Sequence, residues 1–237
     1  MNRYEFQKRK LYSVLGKRLS KLLDSTECII AGGSINSIFT NKDINDLDIY
    51  FRNEKDLIKV VKDIYDDYFI LCNTKKATLF KNNSDQLVHL IHFRLFDNAK
   101  EIFNTFDFTV CMAAYDFKLG KFVFDDRFFL DNTQNVIRFN SNTAYPLMSM
   151  LRVNKYKNKG YNISKTEFIR ILLTCMKLKI HNIEDLKEQL SGMYGTDLSK
   201  MFKDIENNSN GTINLEQVID KLKDLYLDDD YFKTSGR

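Results

Sequence analysis

Apolar residues in the first 24 positions fall at Leu11, Val14, Leu15, Leu19, Leu22 and Leu23. Spacings of three and four predict an amphipathic helix with a Lys/Arg outer face. From Thr26 the period changes. Cys28-Ile29-Ile30-Ala31 is a short apolar run that stops at Gly32-Gly33, which predicts a buried strand and a tight turn. Ser34 to Phe39 predicts a short helix with Ser34 as its N-cap. Leu47 to Phe51 predicts a second strand, and Leu57, Val60, Val61 and Ile64 a helix over Glu54 to Tyr65. Further strands are expected at Tyr68 to Cys72, Ala77 to Lys81, Gln86 to Arg94 and along the whole of Phe106 to Phe117, with a short helix at Ala99 to Asn104. Lys118-Leu119-Gly120-Lys121 predicts a hairpin turn into Phe122 to Phe124.

Strand patterns fade after residue 140. Tyr145 to Tyr156, Lys165 to Lys179, Ile183 to Met193, Leu198 to Ile205 and Leu215 to Tyr226 all carry helical spacing, and a polar tail follows from Asp228. These patterns predict an α+β fold. Its expected parts are an N-terminal amphipathic helix (1–24), a mixed α/β unit (25–140) and a helical unit with a polar tail (141–237).

Composition narrows the class. The chain has 237 residues, 43% hydrophobic and 29% charged, with one proline, so a packed core is affordable in size and wholesale disorder is excluded. No apolar run approaches the roughly 20 residues that cross a bilayer. The basic N-terminus holds no unbroken apolar segment and no small-residue cleavage site, so it is not read as a secretory signal. Cys28, Cys72, Cys111 and Cys175 form no CxxC and are expected as free thiols in a cytoplasmic protein.

Net charge is +4, but it is unevenly spread. Residues 1–21 hold seven Lys/Arg against one Glu, residues 22–140 fourteen against eighteen acids, and residues 141–203 eleven against five. A mildly acidic centre therefore lies between basic segments, compatible with an anionic partner.

The chemistry concentrates in Ala31-Gly32-Gly33-Ser34, followed thirteen residues after Gly33 by Asp46-Leu47-Asp48. On a strand, residues i and i+2 share a face and lie about 6.6 Å apart. Two carboxylates that close repel each other unless a cation sits between them, which invites Mg²⁺. A glycine turn feeding a helix N-terminus offers free N–H groups and the positive end of the helix dipole to a phosphate. A phosphate cradle beside a carboxylate pair suits phosphoryl or nucleotidyl transfer.

The stretch AGGSINSIFTNKDINDLDIYF resembles the signature of the DNA polymerase β nucleotidyltransferase superfamily. It is most similar to the head region of CCA-adding enzymes and bacterial poly(A) polymerases, and to small bacterial and phage nucleotidyltransferase-like proteins. The resemblance implies a head with a mixed β-sheet, with Gly32, Gly33 and Ser34 holding a nucleoside triphosphate and Asp46 and Asp48 binding two Mg²⁺. It also implies a third carboxylate on a later strand. Asp107 fits best, with Asp116 as runner-up beside the hairpin turn. Where CCA-adding enzymes carry an Arg-Asp pair after the glycines, this chain has Asn36 and Ser37, and Glu184-Asp185-Leu186-Lys187 lacks the arginine of their nucleotide-selecting pattern.

Beyond the head, Arg152, Lys155 and Lys159 share one helix face, interleaved with Tyr145, Tyr156 and Tyr161. Arg152 and Lys155 are expected to face the triphosphate or an acceptor strand. The expected activity is transfer of a nucleoside monophosphate to an acceptor hydroxyl, first of all a nucleic-acid 3′ end. The alternatives are a protein or small-molecule acceptor, second-messenger synthesis, or a non-catalytic binding module. The run 206–217 mimics an EF-hand loop, but Glu206 and Gln217 occupy the positions of its first Asp and last Glu, so Ca²⁺ binding is not expected. His89 and His92 are odd-spaced on one predicted strand and so do not share a metal. Cys111 has no evident base and is read as packed.

Overall fold

The computed structural model describes residues 3–191, 214 and 216–220. The predicted helix at 198–205, the last two residues of that at 183–193, most of that at 215–226, the EF-hand-like loop apart from residues 214, 216 and 217, and the polar tail lie outside the described residues.

Helix α1 (Glu5–Asp24) buries Leu11, Leu15, Leu19 and Leu23, a repeat of four that puts one stripe against the sheet. Gly16 interrupts it with φ 71°, a conformation that costs glycine little. Then follow β1 (Ile29–Ala31), α2 (Gly33–Thr40), β2 (Asp46–Tyr50) and α3 (Glu54–Ile64). The Asn53 side chain accepts the Asp56 N–H and so caps α3. Strands β3 (Tyr68–Asn73), β4 (Ala77–Asn82) and β5 (Leu87–Ile91) form an antiparallel meander. After α4 (Ala99–Phe103) come β6 (Ala113–Asp116), β7 (Lys121–Phe124), α5 (Phe128–Thr133) and β8 (Val136–Ile137). The chain then forms α6 (Pro146–Asn158), β9 (Asn162–Ile163), α7 (Lys165–Cys175) and α8 (Ile183–Ser191).

Seven strands form one mixed sheet in the order β3-β4-β5-β2-β1-β6-β7. Within this sheet β2 and β5 pair in parallel and the other neighbours are antiparallel. Strand alternation divides the core in two. Ile30, Leu47, Ile49, Val88 and Leu90 face α1 and α3. Ile29, Ala31, Tyr50 and Ile91 face the opposite side, with Phe103, Phe106, Val153 and Tyr156 from α4, α6 and the segment between them. By the same alternation Asp46 and Asp48 lie on the side that α6 covers.

The predicted α+β class is the observed one. Two local expectations are corrected. Phe106 to Phe117 is not one strand: Thr109–Cys111 is a 3₁₀ turn and only Ala113–Asp116 enters the sheet. The chain turns there because Thr109 Oγ1 donates to the buried Asp131 carboxylate (2.6 Å), an alternative that short polar side chains offer in competition with ladder bonding. The N-cap of α2 is Gly32, not Ser34, because the helix begins at Gly33. Alternation alone also fails to announce α5 and the small parallel pair β8–β9. Among the described residues no helix is long and apolar enough to cross a membrane.

Candidate nucleotide and metal site

The site begins where β1 ends. Ala31 pairs with Asp48 across the β1–β2 ladder, and the Gly32 N–H donates to the Ala113 carbonyl (3.0 Å). Gly32 has φ 94° and ψ −140°, a combination open to glycine and strained for other residues. A Cβ there would also sit 3.4 Å from Asp48 Oδ2 and 3.5 Å from Phe106 Cζ. The backbone therefore passes tightly against the carboxylate and turns at once into α2. No side chain caps the start of that helix, so its first amides remain available. The Ser34 hydroxyl is buried and has no hydrogen-bond partner among the described residues. A buried hydroxyl without a partner is costly, and here it stands in the first turn of a helix whose first N–H groups have no side-chain cap. These features fit a bound phosphate.

Asp46 and Asp48 lie on one face of β2, Asp46 with 36% side-chain exposure and Asp48 with 5%. Burial and the neighbouring Asp48 charge raise the pKa of Asp46, opposed by His89, Lys155 and Lys159. His89 stands opposite Asp48 in the parallel β2–β5 register. Its Nδ1 is 3.0 Å from Asp48 Oδ1 and 3.7 Å from Asp46 Oδ2. Burial disfavours its imidazolium, but the hydrogen bond it donates to Asp48 and both carboxylate charges outweigh that and raise its pKa. Ligand atoms from Asp46, Asp48 and His89 all lie within 4.8 Å of one another, the one such group among the described residues.

His89 is the residue that sequence reasoning missed. Comparing it with His92 correctly separates the two histidines, since His92 contacts Thr78 Oγ1 instead (3.2 Å). The relevant neighbour lay on β2, and no sequence signal fixes a parallel register between distant strands.

Asp107 is buried just before the 3₁₀ turn. Its Oδ2 pairs with Arg152 Nη1 from α6 at 2.9 Å, and it is not among the three clustered ligands. Burial raises its pKa and the Arg152 charge opposes the rise. Lys155, one turn further along α6, is held below the usual lysine range by burial and by Arg152, while Asp46 pulls the other way. Of the expected basic face, Arg152 and Lys155 are half-buried beside these acidic residues, while Lys159, just past the end of α6, is exposed. Asp116 is occupied elsewhere, in a buried ion pair with Arg52 (2.6 Å). Asn36 is a buried structural anchor: its amide donates to the Val110 carbonyl and to Asn132 Oδ1.

Residues 5–135 match the family described as "Gabija anti-defense 2 family protein". The chain belongs to the Gabija anti-defense 2 family. A relative called "Gabija anti-defense 2", from Bacillus phage SPbetaL7, is 48% identical over 231 residues, which cover 97% of this chain and 57% of the relative. The family member described here thus spans little more than half the length of that curated relative.

Among solved structures, a CCA-adding enzyme in an apo form is similar with a TM-score of 0.55 at 15% identity, over 92% of this chain and 54% of the other. A complex of a CCA-adding enzyme with CTP gives 0.55 at 15% identity over 92% and 53%. The Thermotoga maritima CCA-adding enzyme in complex with tRNA gives 0.52 at 11% identity over 83% and 56%. At these identities the likeness concerns the fold: this chain has a nucleotidyltransferase-like fold.

Proposed function

We propose that this protein transfers a nucleoside monophosphate from an NTP to an acceptor hydroxyl, and that this transfer serves the counter-defence role named in its phage relative. The observation that carries the reading is the junction of two features. A glycine turn with a buried Ser34 hydroxyl that has no partner among the described residues abuts a pair of strand carboxylates at the same end of the central strands β1 and β2. CCA-adding structures with the same fold hold CTP.

In this reading Gly32, Gly33 and Ser34 hold the triphosphate, with the α2 amides and the Ser34 hydroxyl donating to phosphate oxygens. Asp46 and Asp48 hold the divalent cation, which when bound neutralises phosphate charge and polarises the acceptor hydroxyl. Arg152 and Lys155 contribute fixed positive charge on the opposite wall, where negative charge moves onto the leaving pyrophosphate. Asp107 serves as the third carboxylate. Its ion pair keeps Arg152 beside the cluster, and phosphate oxygens that compete for the guanidinium release the Asp107 carboxylate toward the acceptor. Residues 25–140 act as the catalytic head and residues 141–237 carry the acceptor. The basic helix face makes a nucleic-acid 3′ end the first acceptor to try.

The Asp107–Arg152 pair favours one rival. A protein that keeps its third carboxylate engaged could bind nucleotides without transferring them. Both readings are tested by incubating the protein with each NTP, a divalent cation and RNA, DNA or protein fractions. Pyrophosphate release that disappears in Asp46→Ala and Asp48→Ala supports transfer. NTP binding without release from any fraction supports the rival, and release that persists in both variants refutes the mechanism.

A further inference from the structure

We propose that Asp46, Asp48 and His89 form one mixed oxygen–nitrogen cation site, in which the His89 imidazole is a third ligand and shifts preference from Mg²⁺ toward a first-row transition cation such as Mn²⁺ or Co²⁺. This rests on the reading that Asp46 and Asp48 hold a divalent cation.

The placement comes from the backbone. Asp48 and His89 are directly paired across the parallel β2–β5 ladder, so their side chains stand on the same sheet face. Asp46 lies two residues earlier on that face. Ligands about 2.1 Å from a cation and at right angles to one another have donor atoms about 3 Å apart. His89 Nδ1 lies 3.0 Å from Asp48 Oδ1 and 3.7 Å from Asp46 Oδ2. The nitrogen is therefore already within a few tenths of an ångström of one ligand spacing and less than 1 Å from the other.

The donor set decides the cation. Magnesium is hard and takes oxygen ligands in a near-ideal octahedron. Imidazole suits first-row transition cations, whose affinity for nitrogen-bearing sites rises from Mn²⁺ through Co²⁺ to Ni²⁺. Two carboxylates with a neutral imidazole also match the charge of a single divalent ion. Asp107, the other carboxylate nearby, is committed to Arg152 in this arrangement.

The test is titration of the intact protein with Mn²⁺ followed by electron paramagnetic resonance, with Mg²⁺ as competitor and without NTP. Asp46→Asn serves as the no-site control. The wild type is expected to bind Mn²⁺ at least tenfold more tightly than Mg²⁺. His89→Asp, which restores an oxygen ligand, should narrow that ratio about tenfold, and His89→Gln should weaken Mn²⁺ more than Mg²⁺. Circular dichroism melts confirm that the variants fold, and either variant alone suffices if the other does not.

An unchanged Mn²⁺/Mg²⁺ ratio in His89→Asp or His89→Gln overturns the proposal, because the imidazole then only hydrogen-bonds Asp48. Failure of the wild type to bind Mn²⁺ overturns it as well. The measurement is separable from activity. A His89-dependent ratio without nucleotidyl transfer keeps the cation site and discards the transferase reading. Transfer with an unchanged ratio does the reverse.

Discussion

Replacing Arg52 with Ala should destabilise the protein by about 3–5 kcal/mol, the usual effect of removing one partner of a buried ion pair. Arg52 follows β2 and reaches Asp116 at the end of β6, so it ties together strands on either side of β1. Its Nη2 is 2.6 Å from Asp116 Oδ2, and the two side chains are 10% and 1% exposed. Nε also donates to the Asp97 carbonyl (2.9 Å), and Nη1 to the Glu27 carbonyl. Without the guanidinium, the Leu119 N–H (3.1 Å) is the remaining hydrogen-bond donor to the Asp116 carboxylate among the described residues. One bond to a charged group is worth about 1.5–3 kcal/mol and does not replace the lost counter-charge. Urea unfolding followed by circular dichroism reads the change as a lower midpoint at constant slope. Asp116→Leu in the Arg52→Ala background should recover part of the loss, since the stranded charge is then gone, with a coupling of about 0.5–3 kcal/mol. A loss below about 1 kcal/mol for Arg52→Ala, or strictly additive effects in the double variant, would refute the idea that this pair anchors the sheet and excludes Asp116 from the site.

Three further outcomes are expected. In the metal-free protein the raised Asp46 pKa means that its ionised form is costly to fold. That cost is absent below the unfolded aspartate pKa of about 4, grows as pH rises to the folded pKa and is constant above it. Asp46→Asn should therefore melt higher than wild type in EDTA at pH 7.5, with the difference vanishing near pH 4; an equal gap at both pH values contradicts this. Gly32→Ala should cost about 1–3 kcal/mol of stability from its φ of 94° and weaken cation binding, because the added methyl crowds Asp48; a neutral effect on both in melting and Mn²⁺ titration counts against the tight turn. Cys28 is fully buried and its thiol is pushed up to about 12, and Cys111 is buried with its pKa also raised. Iodoacetamide should modify only Cys72 and Cys175 in the native protein and all four in denaturant, as read by peptide mass spectrometry.

Much of the architecture was legible because it follows short-range periodicity. The repeat of four leucines in α1, the alternation in β2 and the turn at Gly32-Gly33 each announce themselves within a short stretch of chain. The acidic pair was legible for the same reason: Asp46 and Asp48 share a face wherever β2 lies. What escaped was decided by long-range pairing. His89 meets Asp48 only because β5 runs parallel to β2, and Arg152 meets Asp107 only because α6 packs over that sheet face. The stretch around Asp107 looked like a strand because Phe106, Phe108 and Val110 alternate, yet these side chains pack around a turn in the core. The Asn36 anchor likewise depends on three partners between 74 and 125 residues away.

The most direct test of the central claim is the mass of the acceptor. Purified protein, NTP labelled at the α-phosphorus and a divalent cation are incubated with total RNA from phage-infected cells, and the products are resolved by gel and mass spectrometry. The account predicts RNA that gains nucleoside monophosphate at its 3′ end, with label transfer abolished by Asp46→Ala and by Asp48→Ala. Label that stays in NTP with every nucleic-acid, protein and small-molecule fraction, or transfer that survives both substitutions, would contradict it.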